Sequence, residues 1–308
     1  MALDDATTAL LGQMAETGMK PLHEMTVEEA RGLGGMLREM YGPGPEVARV
    51  EDTTAPGPGG DVPVRVIVPE GPPRGLIVYY HGGGWVIGNI EETDHLGRKM
   101  ANRTRSTVVL VDYRLAPEHR YPAAAEDAWA ALRWADERKA DLAGVDVPLV
   151  VAGDSAGGNL AAIVAQRANV SGGPSITAQV LVYPVTDADL DNASYTAPEN
   201  QLLLSRDSMV WFWDHYAPDP ETRANADASP LRSGDLSGLP PAVVLTAEHD
   251  PLRDEGEAYA EKLRAAGVPV ESRRFAGQMH GFFTMVGVLP GHDDGLSYVV
   301  EHLERHLG

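Results

Sequence analysis

The pentapeptide Gly153-Asp154-Ser155-Ala156-Gly157 follows the apolar run Leu149-Val150-Val151-Ala152 and precedes the helix-forming residues Asn159-Leu160-Ala161-Ala162. A serine flanked by glycines at the junction of a strand and a helix is suited to nucleophilic attack. The glycines permit a sharp turn where backbone crowds backbone, and the helix N-terminus favours negative charge developing nearby. The same five residues would mean little in an ordinary loop, so the strand-turn-helix setting is what selects the chemical reading. A second candidate, His81-Gly82-Gly83-Gly84-Trp85, follows another apolar run at 76–80. Three successive glycines leave backbone N–H groups free to face a ligand, as an oxyanion site requires. A tight turn would use the same residues, but this motif and the serine turn together form the pairing of oxyanion loop and nucleophile elbow.

A serine hydroxyl attacks only when a base takes its proton, and the base must be oriented by an acid. In chains with this elbow the acid and then the histidine follow the serine. Asp250 lies just past the strand expected at 242–246, and His280 just past the strand expected at 270–275. Both then stand at strand carboxyl ends, on the same edge as Ser155, where ligands meet open parallel sheets. Neighbouring candidates are weaker. Glu248 and His249 have only proximity in their favour, and Asp254 falls inside the next helix. Asp154 is expected to point away from the serine it adjoins. His292, His302 and His306 belong to the last helical region and read as solvated surface groups, whereas His81 suits a structural hydrogen bond.

These residues need a frame. Short β-branched runs alternate with longer helical patterns, the signature of a mainly parallel sheet covered on both faces. Strands are expected near 47–50, 62–68, 76–80, 107–111, 148–152, 178–182, 242–246 and 270–275, about eight in all. Residues 51–60, acidic and rich in Gly and Pro, read as a turn between the first two. Helices are expected at 93–105, 122–138, 156–168, 254–266 and 293–307. Residues 1–45 have helical spacing, with Thr26 and Glu29 placed to form a capping box. Residues 186–235 carry Trp211, Phe212, Trp213 and Tyr216 with no strand pattern and read as an insertion. Together with 1–45 they could cap a catalytic domain made of 46–185 and 236–308.

Composition narrows the partners. The 308 residues hold 43% hydrophobic and 23% charged side chains, an ordinary globular mixture. With 45 acidic against 25 basic residues the formal charge is −20, which disfavours nucleic acid and anionic membranes as partners. There is no cysteine, so disulfides, thiolate metal sites and cysteine nucleophiles are excluded. No apolar stretch approaches the roughly 20 residues needed to cross a bilayer, and the first residues lack a basic leader. A cytoplasmic protein, monomeric or homodimeric, acting on a small molecule is the expectation.

The chain resembles the hormone-sensitive-lipase-like esterases, the bacterial family IV carboxylesterases, over roughly residues 63–283. The resemblance rests on His81-Gly82-Gly83-Gly84, Asp112-Tyr113-Arg114-Leu115-Ala116-Pro117-Glu118-His119 and Gly153-Asp154-Ser155-Ala156-Gly157-Gly158. It continues in Asp250-Pro251-Leu252-Arg253-Asp254-Glu255-Gly256 and His280-Gly281-Phe282. It implies an α/β-hydrolase fold, with Ser155 as nucleophile, Asp250 as acid and His280 as base. The oxyanion hole would be the N–H groups of Gly83, Gly84 and Ala156. It further implies a helical cap, no metal or organic cofactor, and hydrolysis of esters with short to medium acyl chains. An amidase or deacetylase could use the same triad. A non-catalytic receptor on this scaffold, as in plant gibberellin receptors, would lack the histidine that stands here at 280.

Overall fold

The computed structural model describes residues 2–307, and the side chains of all of these except 36–41. Helices α1 (Asp5–Glu16) and α2 (Val27–Tyr41) open the chain, joined by a 3-10 turn at Leu22–Glu24. The expected capping box forms: Glu29 N–H donates to Thr26 Oγ1 at 3.1 Å and Thr26 N–H to Glu29 Oε2 at 2.8 Å. It satisfies two N–H groups that a helix start otherwise leaves open.

The sheet follows: β1 (Arg49–Gly57), β2 (Gly60–Val68), β3 (Leu76–Tyr80), α3 (Ile90–Thr104), β4 (Thr107–Val111), α4 (Ala123–Glu137), α5 (Lys139–Ala143), β5 (Leu149–Asp154) and α6 (Ala156–Ser171). Then come β6 (Ile176–Val182), α7 (Ala193–Thr196), α8 (Arg206–Tyr216), α9 (Pro220–Arg223), β7 (Ala242–His249), α10 (Arg253–Ala265), β8 (Val270–Met279) and α11 (Pro290–Leu303). The eight strands lie in the order β1-β2-β4-β3-β5-β6-β7-β8, and only β2 runs against the rest. The expected α/β-hydrolase sheet is therefore present.

Alternation along each strand feeds two cores. Leu76, Val78 and Tyr80 face α4, α6 and α10, while Ile77 and Tyr79 face α3 and α11. All five are at most 1% exposed. Burial on both faces explains why these strands read as unbroken apolar runs.

One sequence expectation fails here. Residues 51–57 are strand, not turn: β1 runs to Gly57 and pairs with β2 in register from Arg49↔Val68 to Gly57↔Gly60. β1 is an edge strand with mostly exposed side chains, so it needs no apolar alternation, and Pro56 is tolerated there. Strands β7 and β8 also run further than expected, to His249 and Met279. No strand of the described residues interrupts 186–235; α8 of this insertion packs against the 3-10 turn between α1 and α2. Among the described residues no helix is long and apolar enough to cross a membrane.

Candidate active site

Ser155 is the residue between β5 and α6, at φ 55° and ψ −118°. A non-glycine residue at positive φ is strained, and the surroundings must hold it there. They do so by close packing. A Cβ on Gly153 would fall 2.2 Å from the Gly157 carbonyl oxygen, and one on Gly157 would fall 1.9 Å from that of Tyr80. Backbone hydrogen bonds from Ser155 N–H to Val182 O (2.9 Å) and Val185 N–H to Ser155 O (3.1 Å) fix the turn against β6.

Asp250 directly follows β7 and His280 directly follows β8, so the three side chains converge at one rim. His280 Nε2 is 3.1 Å from Ser155 Oγ, and His280 Nδ1 is 2.7 Å from Asp250 Oδ2. Asp250 is fully buried, and its other oxygen accepts the Leu252 N–H at 2.8 Å. With a carboxylate acceptor at Nδ1, the proton of the neutral ring sits on that nitrogen, leaving Nε2 unprotonated toward the hydroxyl. His249, one residue before Asp250, is buried, with its Nε2 4.0 Å from Glu248 Oε2.

The glycine loop after β3 lies beside this triad because β3 and β5 are paired, Tyr80 opposite Gly153. The backbone groups around it are held in turn: the Tyr113 hydroxyl donates to His81 O (2.7 Å), and Val86 and Ile87 N–H donate to Gly83 O (both 3.0 Å). His81 Nδ1 lies 2.7 Å from Gly82 O, which can only accept, so Nδ1 carries the proton. Burial lowers the His81 pKa to about 4 and keeps the ring neutral, the structural role expected of it. Among the described residues no acceptor engages the N–H groups of Gly83, Gly84 and Ala156. Gly84 leaves no room for another residue, since its Cβ would meet the Phe212 ring at 2.1 Å.

One sequence reading needs correction. His292 is not a solvated group: it is fully buried and its Nδ1 donates to Phe283 O. The aromatic residues of the insertion mostly turn inward. Trp213 and Tyr216 are fully buried and pack on Trp85, with ring centroids 4.7 and 4.2 Å away. The cavity next to the glycine loop holds about 460 Å³; its apolar wall comes largely from the N-terminal segment, with Leu11, Met14, Met19, Leu22, Met25 and Leu33, and is joined by Leu202 and Leu203 of the insertion. Nothing in the composition of 1–45 marks those residues as lining a site. Sequence reasoning also passed over Tyr79 and Tyr113, which read only as strand and motif positions.

The α/β-hydrolase-fold family model matches residues 77–284. Carboxylesterase NlhH of Mycobacterium tuberculosis is 43% identical, the match covering 91% of this chain and 90% of that protein. An ethyl acetate hydrolase of Pseudomonas putida is 38% identical over 81% of this chain and 80% of its own length. A hyperthermophilic esterase from the archaeon Pyrobaculum calidifontis superposes with a TM-score of 0.92 at 39% identity, covering 99% of both chains. Fold and site thus define a serine hydrolase built on an α/β sheet. The chain belongs to the α/β-hydrolase family, in its hormone-sensitive-lipase-like branch of carboxylic ester hydrolases.

Proposed function

We propose that the chain hydrolyses small, neutral carboxylic esters of short to medium acyl length through an acyl-enzyme on Ser155. The observation that carries this is the unbroken chain of contacts from Asp250 to His280 to Ser155, beside unengaged N–H groups. His280 Nε2 takes the Ser155 proton as Oγ attacks the ester carbonyl. The resulting oxyanion is held by the N–H groups of Gly83, Gly84 and Ala156. The carbon–oxygen bond to the alcohol breaks as His280 returns the proton to it. Water then attacks the acyl-enzyme by the same sequence, regenerating Ser155. Asp250 keeps the imidazole in the working tautomer and stabilises its charge without taking the proton.

The N-terminal segment 1–45 and the insertion 186–235 are proposed to form a cap on the catalytic domain of 46–185 and 236–308. Methionine and leucine side chains of the N-terminal segment line the cavity, which suits an uncharged acyl or alcohol group. The names of the relatives favour esters over amides. The test is Ser155→Ala assayed on 4-nitrophenyl butyrate, where kcat should fall by roughly 10⁴ to 10⁶ with the fold intact. Near-normal turnover by that variant would refute the assignment.

A further inference from the structure

The aim of the glycine loop depends on a group outside the triad. Asp154 ends β5, with its side chain reaching Tyr79 of the neighbouring β3 and the loop that follows it. Its Oδ1 accepts two hydrogen bonds, from the Tyr79 hydroxyl at 2.7 Å and from the Gly82 N–H at 3.0 Å. Gly82 is wedged against this carboxylate: a Cβ there would come within 2.3 Å of Asp154 Oδ2. The Gly82 carbonyl is held by His81 Nδ1 and the Gly83 carbonyl by Val86 and Ile87 N–H. With Gly82 N–H taken by Asp154, the amides left over in the triplet are those of Gly83 and Gly84.

We propose that Asp154 is a positioning residue that fixes the Gly82 peptide and thereby aims the Gly83 and Gly84 N–H groups at the developing oxyanion. This rests on the reading of Ser155 as nucleophile and of those amides as its oxyanion hole. Asp154 is 6% exposed and forms no ion pair among the described residues. A buried carboxylate without a cation is an unfavourable choice for packing alone. An apolar residue would fill the space without that penalty, but it could not accept the two donors. Around Asp154 stand Tyr79 from β3, His81 from the loop, Tyr113 after β4 and His280 after β8; Tyr79, Tyr113 and His280 act on it electrostatically. Only Tyr79 and Gly82 reach its oxygen from other segments, so loop geometry and acceptor strength are coupled at one atom.

The experiment compares wild type with Asp154→Ala, Asp154→Asn and Ser155→Ala on 4-nitrophenyl butyrate at pH 7.5, with near-ultraviolet circular dichroism as the check on folding. Misaiming two donors should cost less than deleting one, which costs about 10² to 10³ in kcat. D154A is expected to lose about 10- to 100-fold in kcat with KM changed less than about threefold, because the hole acts on the transition state and not on the bound ester. D154N retains an acceptor oxygen and should recover most of that loss. If D154A does not fold, Asp154→Ser, whose hydroxyl is too short to reach Gly82, takes its place with the same expectation. A folded D154A or D154S with wild-type kcat overturns the proposal, as does a loss expressed in KM alone or a D154N as impaired as D154A. S155A separates the two claims: activity in that variant would defeat the nucleophile assignment, whereas an inactive S155A beside a fully active D154A would defeat only the role of Asp154.

Discussion

Ser155 and Asp154 are adjacent in the chain and opposite in demand. As the proposed nucleophile Ser155 must be reactive, and its positive φ is maintained by glycines whose replacement would drive atoms together. Asp154 must stay an acceptor inside the protein, and burial pushes its carboxyl from the ordinary 3.8 up to about 6, with the Tyr79 hydroxyl and Gly82 N–H opposing that rise. The sign of the linkage follows. Between about pH 4 and pH 6 the folded state keeps a proton that the unfolded chain has released, so stability falls as pH rises through that window. The rise from 3.8 to about 6 corresponds to about 3 kcal/mol. Asp154→Asn has no such ionisation. Urea unfolding at pH 4.5 and pH 7.5 should therefore show D154N gaining about 1 to 3 kcal/mol on wild type between the two pH values. Parallel stabilities would mean that the carboxylate carries no such cost.

At the scale of elements, two contacts hold the site's surroundings. The α6 start presses on the end of β3, so Gly157→Ala forces a methyl group onto the Tyr80 carbonyl. Overpacking of this kind costs about 1 to 3 kcal/mol, and more where backbone must yield. A lower urea midpoint with reduced kcat is the expected pair of results. Helix α2 is fastened by Arg31, whose Nε donates to Val86 O at 2.9 Å and whose Nη2 donates to Ala116 O at 3.0 Å, with a bidentate pair to Glu118. The ion pair itself is half exposed, 34% and 54% for the two side chains. Glu118→Ala should thus cost under about 1 kcal/mol. Arg31→Ala also strands two backbone carbonyls and should cost about 1 to 2 kcal/mol more. Equal losses in the two variants would show that the carbonyl contacts contribute nothing.

What the sequence disclosed about these elements follows from how each is stabilised. The elbow, the glycine triplet and the capping box are local geometries that only a few residue types permit, so they leave an imprint in five residues or fewer. The central strands are buried on both faces and appear as plain apolar runs. Strand β1 has neither constraint, because an edge strand paired on one side and wetted on the other accepts Glu51, Asp52 and Pro56. His292 depends on packing between α11 and Phe283, which no local pattern records. The tie from Asp154 to Gly82 and Tyr79 joins residues 72 and 75 positions apart, visible only once β3 and β5 are known to be neighbours.

Across the whole molecule, the sheet brings residues 155, 250 and 280 to one rim, and the N-terminal segment supplies most of the apolar wall nearby. Trp213 and Tyr216 of the insertion pack inside on Trp85. Substrate preference should therefore respond to the N-terminal side chains. Met14→Ala combined with Leu33→Ala should weaken kcat/KM for a hexanoyl aryl ester relative to the acetyl ester, since each contacted CH₂ is worth about 0.8 kcal/mol, or roughly fourfold. An unchanged chain-length profile would separate this cavity from the acyl site. The most direct test of the account is covalent: treatment with an aryl organophosphonate, followed by mass-spectrometric mapping. The adduct is expected on Ser155 alone, forming at least about 10³-fold more slowly in His280→Ala. An adduct on another residue, or labelling of Ser155 at an undiminished rate without the histidine, would contradict it.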